Sequence, residues 1–221
     1  MDDEPQSGQD GEATLEGCFA PDGTDLTLIQ WFLRRTPGER LQTAQSIVDL
    51  VALAPRIDEG DSLALLRALH DQGVKFVVVG GLAALLQGVP IRTLDIAVVY
   101  QADPANFERL SAALSRTGAT YRDPAGRTIK PDVERLMTNG MNLMQTPASI
   151  LDAMREIAPG WRFEDLVERS HLAEVSGMNL RVLDLAAVIE SKEAADRPKD
   201  RAALFVLRNT LEMRRRQGLP T

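Results

Sequence analysis

Chemistry in this sequence concentrates in the run Phe76-Val-Val-Val-Gly80-Gly81 and, shortly after it, in Thr93-Leu-Asp95-Ile-Ala97-Val-Val-Tyr100. Two adjacent glycines let the backbone pass close to a phosphate. The apolar pattern that follows predicts a helix from Leu82 to Gln87, whose free N–H groups and positive dipole end point at the same spot. Asp95 offers an oxygen ligand of the kind Mg²⁺ takes beside a triphosphate. Alternate residues of a strand face the same side, so positions 95 and 97 form a pair, and Asp152 on a later predicted strand can close the site from beside them.

Positioning these groups requires a sheet. The β-branched run Lys75–Val79 and the run Leu94–Tyr100 read as strands, separated by a short helix that ends before Pro90. Ser62–Gln72 reads as a helix stopped by Gly73, and Asp103-Pro104 as an N-cap with a first-turn proline opening a helix to about Thr117. The polar, Gly/Pro-punctuated segment from Gly118 to Asn139 predicts short strands and a loop over the site. Met141–Thr146 and Ile150–Met154, joined by Pro147-Ala-Ser149, read as a hairpin, as do Leu172–Val175 and Asn179–Leu183 around Ser176-Gly177. Phe163 to Arg169 reads as a short helix, and Leu185–Ala195 and Asp200–Arg216 as two long ones. This order argues for an α+β (α/β) domain over residues 61–216: a mixed β-sheet flanked by helices, closed by C-terminal helices.

Ahead of it, residues 24–60 read as a helical extension. Thr36-Pro37-Gly38-Glu39 has the form of a capping box, and Leu41, Ala44, Ile47, Val48 and Val51 form an apolar stripe ended by Pro55. Arg34, Arg35 and Arg40 give only a weak suggestion of nucleic-acid binding; packing is the simpler role. Residues 1–23 hold seven acids and no Lys or Arg, the composition of a disordered acidic tail, which leaves 25 acids and 25 bases in the rest of the chain. The body is therefore neutral, and any basic patch must be local.

Other classes are excluded by composition. A single cysteine, Cys18, cannot build a disulfide framework and fits a reducing compartment. No apolar run approaches the roughly 20 residues needed to span a bilayer. The start Met1-Asp-Asp-Glu lacks the basic-then-apolar pattern of a signal peptide. These features predict a cytoplasmic protein without membrane association. His70 and His171 lack zinc-site partners, no serine sits in a nucleophile elbow, and Trp31 and Trp161 read as packing residues.

Taken together, the glycine pair, Thr93-x-Asp95 and the downstream run Val182-Leu-Asp-Leu-Ala-Ala-Val-Ile-Glu-Ser-Lys192 … Arg197-Pro-Lys199-Asp200 resemble the polymerase-β-like nucleotidyltransferases, in particular their AbiEii-like (type IV toxin) and minimal nucleotidyltransferase types. The resemblance covers about residues 62–212. It implies the nucleotidyltransferase fold and Mg²⁺-dependent transfer of a nucleotidyl group from an NTP to a hydroxyl of an RNA end or a protein side chain. It also implies a possible antitoxin protein as partner, since such proteins often act as the toxin half of a pair. It places metal binding and acceptor activation on Asp95 and Asp152 in a two-metal site, phosphate cradling on Gly80 and Gly81, and triphosphate charge on Lys192 and Lys199 with Arg197 as an auxiliary. Asp132 is a weaker substitute for Asp152. The competing account of the C-terminal run is structural, with Lys199 and Asp200 capping the last helix and Lys192 solvated.

One position departs from the pattern. The family has Asp-x-Asp where this chain has Asp95-Ile-Ala97, and a methyl group cannot ligate a metal. Unit charges about 4 Å apart are worth about 4 kcal/mol at an effective dielectric of about 20. At 1.36 kcal/mol per decade, losing such a carboxylate costs on the order of a thousandfold in rate. Three accounts stay open: a degenerate position in a nucleotide-binding or regulatory relative, rescue of one metal by a neighbouring acid, or a substitution made to inactivate the chain. The rival to an enzyme is accordingly an inactive nucleotide-binding or regulatory protein of the same fold.

Overall fold

The computed structural model describes residues 18–51, 61–93, 95–147 and 149–219. Most of the predicted acidic tail, the linker before Asp61 and Leu94 lie outside the described residues. The chain enters through a turn in which Phe19 is bridged to Asp25 and Asp22 accepts a hydrogen bond from Asn209 near the C-terminus. Helices α1 (Leu26–Leu33) and α2 (Pro37–Val51) follow, then α3 (Asp61–Asp71), strand β1 (Phe76–Val79), α4 (Gly80–Leu86), β2 (Asp95–Tyr100) and α5 (Pro104–Arg116). The middle of the chain contributes β3 (Thr120–Tyr121), α6 (Val133–Thr138), β4 (Met141–Gln145), β5 (Ile150–Met154), β6 (Glu156–Ile157), β7 (Trp161–Arg162) and α7 (Phe163–Val167). It ends with β8 (Ser170–Val175), β9 (Met178–Leu183), α8 (Leu185–Ala195) and α9 (Pro198–Arg216).

Among the described residues, seven strands form one mixed sheet in the order β3-β4-β5-β2-β1-β9-β8, and β6 pairs with β7 separately. The α+β class expected from the sequence is the class observed. At the centre, β1 runs antiparallel to β2 and parallel to β9, and β2 runs parallel to β5. All four residues of β1 are buried, as a continuous Val-rich run in a sheet covered on both faces demands. Local signals agree with their elements. Thr36 and Glu39 exchange the two hydrogen bonds of a capping box at the start of α2. Asp103 caps α5 by accepting from Asn106 N–H at 3.0 Å. Ser176 and Gly177, both at positive φ, turn β8 into β9.

The alternation along β2 separates core from site. Ile96, Val98 and Tyr100 are buried on one face. There the Tyr100 ring meets Phe107 of α5 edge-on, 6.0 Å between centroids, and its hydroxyl donates to the Leu136 carbonyl of α6 at 3.3 Å. Asp95 and Ala97 point to the other side, where α4, α8 and α9 stand. Two details depart from the sequence reading. The helix after β1 begins at Gly80 rather than Leu82, and α6 forms within the segment read as strands and loop, where Asp132 caps it by accepting from Arg135 N–H at 2.8 Å.

Short α4 is fixed at its far end by two buried arginines. Arg40 donates to the carbonyls of Phe32, Leu86 and Leu33 at 2.9, 2.5 and 3.1 Å, and Arg214 donates to the Gln87 carbonyl at 2.6 Å. Positive charge at a helix C-terminus is favourable, but burial and the nearby Arg214 lower the Arg40 guanidinium to about 10. Arg40 therefore serves packing and not nucleic acid. Gln87, itself buried, donates to Leu183 O at 2.7 Å and accepts from Leu185 N–H at 2.9 Å. These contacts tie α2, α9, β9 and α8 to one point and hold the glycine end of α4 over the sheet.

Candidate active site

A cleft of about 1690 Å³ opens on the Asp95 face of the sheet. Gly80, Gly81, Asp95, Asp152, Lys192, Arg197 and Lys199 all line it, as does Ala97. One wall is the sheet, the other is built from α8 and α9. Asp132 is not among the lining residues; it is an exposed helix cap paired with Arg135.

The register of the sheet sets the acidic wall. In the parallel β2–β5 pair Asp152 lies directly beside Ala97, and Asp95 beside Ile150. Leu143 of β4 lies on the other side of Asp152. Neighbouring strands are about 4.8 Å apart, so the Asp152 carboxylate stands next to the position where Ala97 leaves a gap, with Asp95 one pleat away. Burial pushes the Asp152 carboxyl above its ordinary value. Arg122 opposes the rise, Asp95 adds to it, and Lys199 opposes it more weakly. Two carboxylates within hydrogen-bonding reach of each other favour a shared proton or a cation between them.

Gly80 sits at φ +65°, a conformation costly for any other residue. Gly81 serves the acid: a Cβ there would lie 2.8 Å from the Thr93 hydroxyl oxygen and 3.2 Å from its Cβ. That hydroxyl donates to Asp95 Oδ1 at 3.2 Å. The second glycine thus makes room for the threonine that orients Asp95.

The basic wall is organised by Asp200, which is completely buried. Lys192 Nζ meets its Oδ1 at 2.6 Å and Arg197 Nε its Oδ2 at 2.5 Å. Burial alone would raise the Asp200 carboxyl, but these two donors outweigh it and hold the group below its ordinary value. Arg197 precedes α9 as its N-cap residue, and no side-chain cap forms there, so the structural account of the C-terminal run holds only in part. Asp200 binds the cations, and Lys192 is largely enclosed instead of solvated.

Sequence reasoning gave no role to Arg122. Its Nη2 lies 2.5 Å from Asp152 Oδ1, and its backbone N–H donates to Leu143 O at 3.0 Å, which carries the β3–β4 pairing one residue further. Only this register brings it to the acid; nothing in the spacing marks it. Trp31, read as packing, is 42% exposed, with the Arg35 guanidinium stacked 3.2 Å from its ring centre.

Mg²⁺ keeps several waters and takes one or two carboxylates together with phosphate oxygens. Asp95 and Asp152 suit one such ion. Among the described residues, no three His, Cys, Asp or Glu side chains are grouped to hold a metal. A pair of ions about 3.5–4 Å apart calls for more oxygen ligands than two carboxylates supply, and Ala97 adds none. The donor set fits one ion.

No family model matches the chain, and no curated protein does. Solved structures similar to it include the antibiotic-resistance factor ANT(2'')-Ia in solution, at 12% identity over 69% of this chain and 81% of that one, with a TM-score of 0.45. The crystal structure of ANT(2")-Ia with adenylyl-2"-tobramycin gives 14% identity, 68% and 87% coverage and a TM-score of 0.46. An antigenic nucleotidyltransferase-like protein from Paracoccidioides brasiliensis gives 13% identity, 69% and 75% coverage and a TM-score of 0.42. These scores all lie below 0.5, so the chemistry of the cleft rests on its own residues.

Proposed function

We propose that the cleft is a nucleotidyltransferase-type site: it takes an NTP with a divalent ion and directs the nucleotidyl group to a hydroxyl of an RNA end or a protein side chain. The observation that carries this reading is the placement of Asp95 and Asp152 on adjacent parallel strands, facing Lys192, Arg197 and Lys199 across one cleft. Asp95, oriented by Thr93, and Asp152 would hold the ion, which when bound supplies charge to the triphosphate. The basic wall meets the phosphates. Asp95 and Asp152 would also activate the acceptor hydroxyl, as the resemblance implies. Gly80 and Gly81 keep side chains off the phosphate path. The toxin role with an antitoxin partner rests on the sequence resemblance alone, and the cytoplasmic setting on composition and the N-terminal pattern.

Ala97 supports a second reading, in which the chain binds nucleotide and turns nothing over. Titration with Mg²⁺ and NTP, combined with labelled-NTP incorporation into cellular RNA and protein, separates the two. Metal-dependent binding with labelling supports the enzyme. Binding without labelling supports the regulatory protein, and absence of binding rejects both.

A further inference from the structure

The acidic wall carries a methyl group at Ala97, the strand neighbour of Asp152, and holds a guanidinium beside it. We propose that Arg122 is a resident cation that takes the place of a second metal ion, so that this chain works with a single divalent ion and one arginine. The proposal rests on the nucleotide-site reading above and specifies its cation count.

Four observations converge on it. Asp152 is the strand neighbour of Ala97, and its Oδ1 is occupied by Arg122 at 2.5 Å, leaving Oδ2 and Asp95 for an ion. Arg122 is held from behind by its own backbone hydrogen bond to Leu143 O, and Leu143 is the residue opposite Asp152 on β4. The sheet register thereby puts the Arg122 side chain on the face and at the height of Asp152. It lines the cleft and is 35% exposed, so donors remain to meet a phosphate after one is spent on Asp152: guanidinium carries five in a planar fork. Finally, the charge balances. Two carboxylates beside a divalent ion and an arginine leave one net positive charge toward the triphosphate. Three carboxylates with two divalent ions would also leave one. Substituting Ala97 and supplying Arg122 preserves the local charge.

Metal stoichiometry tests this without relying on turnover. Mn²⁺ binding is followed by electron paramagnetic resonance, with and without a non-hydrolysable ATP analogue, on the parent chain, Arg122→Gln, Ala97→Asp and the Ala97→Asp/Arg122→Gln pair. The parent should bind one Mn²⁺ per chain with the analogue. Arg122→Gln should move two affinities in opposite directions: Mn²⁺ alone about tenfold tighter, because a positive neighbour is gone, and the analogue about tenfold weaker. A merely structural arginine would not give opposed effects, and the Arg122 main-chain hydrogen bond survives the substitution. The double variant should bind two Mn²⁺ ions with the analogue. Two ions in the parent, or an Arg122→Gln variant with both affinities unchanged, overturn the proposal while leaving the nucleotide site standing. No analogue bound by any variant, with Mn²⁺ present, overturns the nucleotide-site reading and this proposal with it.

Discussion

Introducing a carboxylate at position 97 by Ala97→Asp probes fold and function at once, and the two should respond with opposite sign. The position is 9% exposed, its methyl lies 3.5 Å from where a Cβ on Gly80 would sit, and Asp152 is its strand neighbour. A third charge among Asp95 and Asp152 meets repulsion of about 4 kcal/mol per contact at about 4 Å and an effective dielectric of about 20. Protonation caps that penalty. A carboxyl of ordinary pKa about 3.9 that simply stays protonated at pH 7 costs about 4 kcal/mol at 1.36 kcal/mol per unit, and the Arg122 guanidinium offsets part of it. Without divalent ions the variant should therefore be less stable by about 2–3 kcal/mol in urea denaturation. With Mg²⁺ and NTP the penalty should vanish, because the same charges become ligands, and labelling of cellular RNA or protein should rise over the parent, by less than the roughly thousandfold of an uncompensated site because Arg122 already supplies part of the charge. A variant whose stability is indifferent to Mg²⁺ would refute the reasoning. So would a variant that labels more slowly than the parent, since the added carboxylate would then obstruct the site and not serve it.

Three further perturbations have defined outcomes. Asp152→Asn should abolish divalent-ion binding yet raise the metal-free melting temperature at pH 7: the parent carboxyl has a raised folded pKa, so the parent loses stability relative to the variant as pH rises from 3.8 through that value, and the two should converge below it. A gap independent of pH between 4 and 8 would contradict this. Asp200→Ala leaves Lys192 enclosed without its partner and should cost about 3–5 kcal/mol at pH 7 in urea denaturation; Asp200 has a depressed pKa, so its contribution is present above 3.8 and is lost as pH falls through the lower folded value. Gly81→Ala should cost about 1–3 kcal/mol by displacing Thr93 and should weaken Mg²⁺ binding through Asp95; an unchanged Mg²⁺ titration would show that the Thr93 hydrogen bond does not orient the acid.

What could be read from the sequence followed local physics. The buried β1, the N-caps at Thr36 and Asp103, the hairpin of β4 and β5 and the long C-terminal helices were written in periodicity and capping residues. The gathering of Gly80, Asp95, Asp152 and Lys199 around one cleft was reached through resemblance and agrees with where the elements lie. The rest depended on distance in sequence. Arg122 reaches Asp152 only because β3 pairs with β4 and β4 with β5, and a one-residue slip would send it to the other face. Asp200 looked like a helix cap because its neighbours fit that pattern; its role as the buried partner of both Lys192 and Arg197 depends on how α8 packs on α9. Gly81 reads from the sequence as a phosphate-facing glycine; the contact a Cβ there would make with Thr93 could not be read from it.

The charges on the two walls also fix how a nucleotide can lie. Lys192 and Arg197 share Asp200, each on a separate oxygen, so this cluster keeps one net positive charge and retains donors, since an ammonium has three and a guanidinium five. Asp200 orients the two cations without cancelling them. Lys199 acts on Asp152 from across the cleft and adds a second positive charge to that wall. The sheet wall, with Asp95, Asp152 and Arg122, carries one net negative charge until a divalent ion arrives. The cleft is therefore polarised from sheet to helices, and on the reading proposed above a triphosphate with its ion would fit with the ion against the strands and the phosphates toward α8 and α9. In metal-free protein the same polarity should make a triphosphate bind chiefly through the helical wall, with Arg122 as a donor on the sheet side. Lys199→Ala should then weaken NTP binding measured in EDTA by about tenfold, the worth of one partly exposed charge-assisted contact, while Asp95→Asn should leave that EDTA affinity unchanged or tighter. Equal losses in both variants would mean that the walls are not divided in this way.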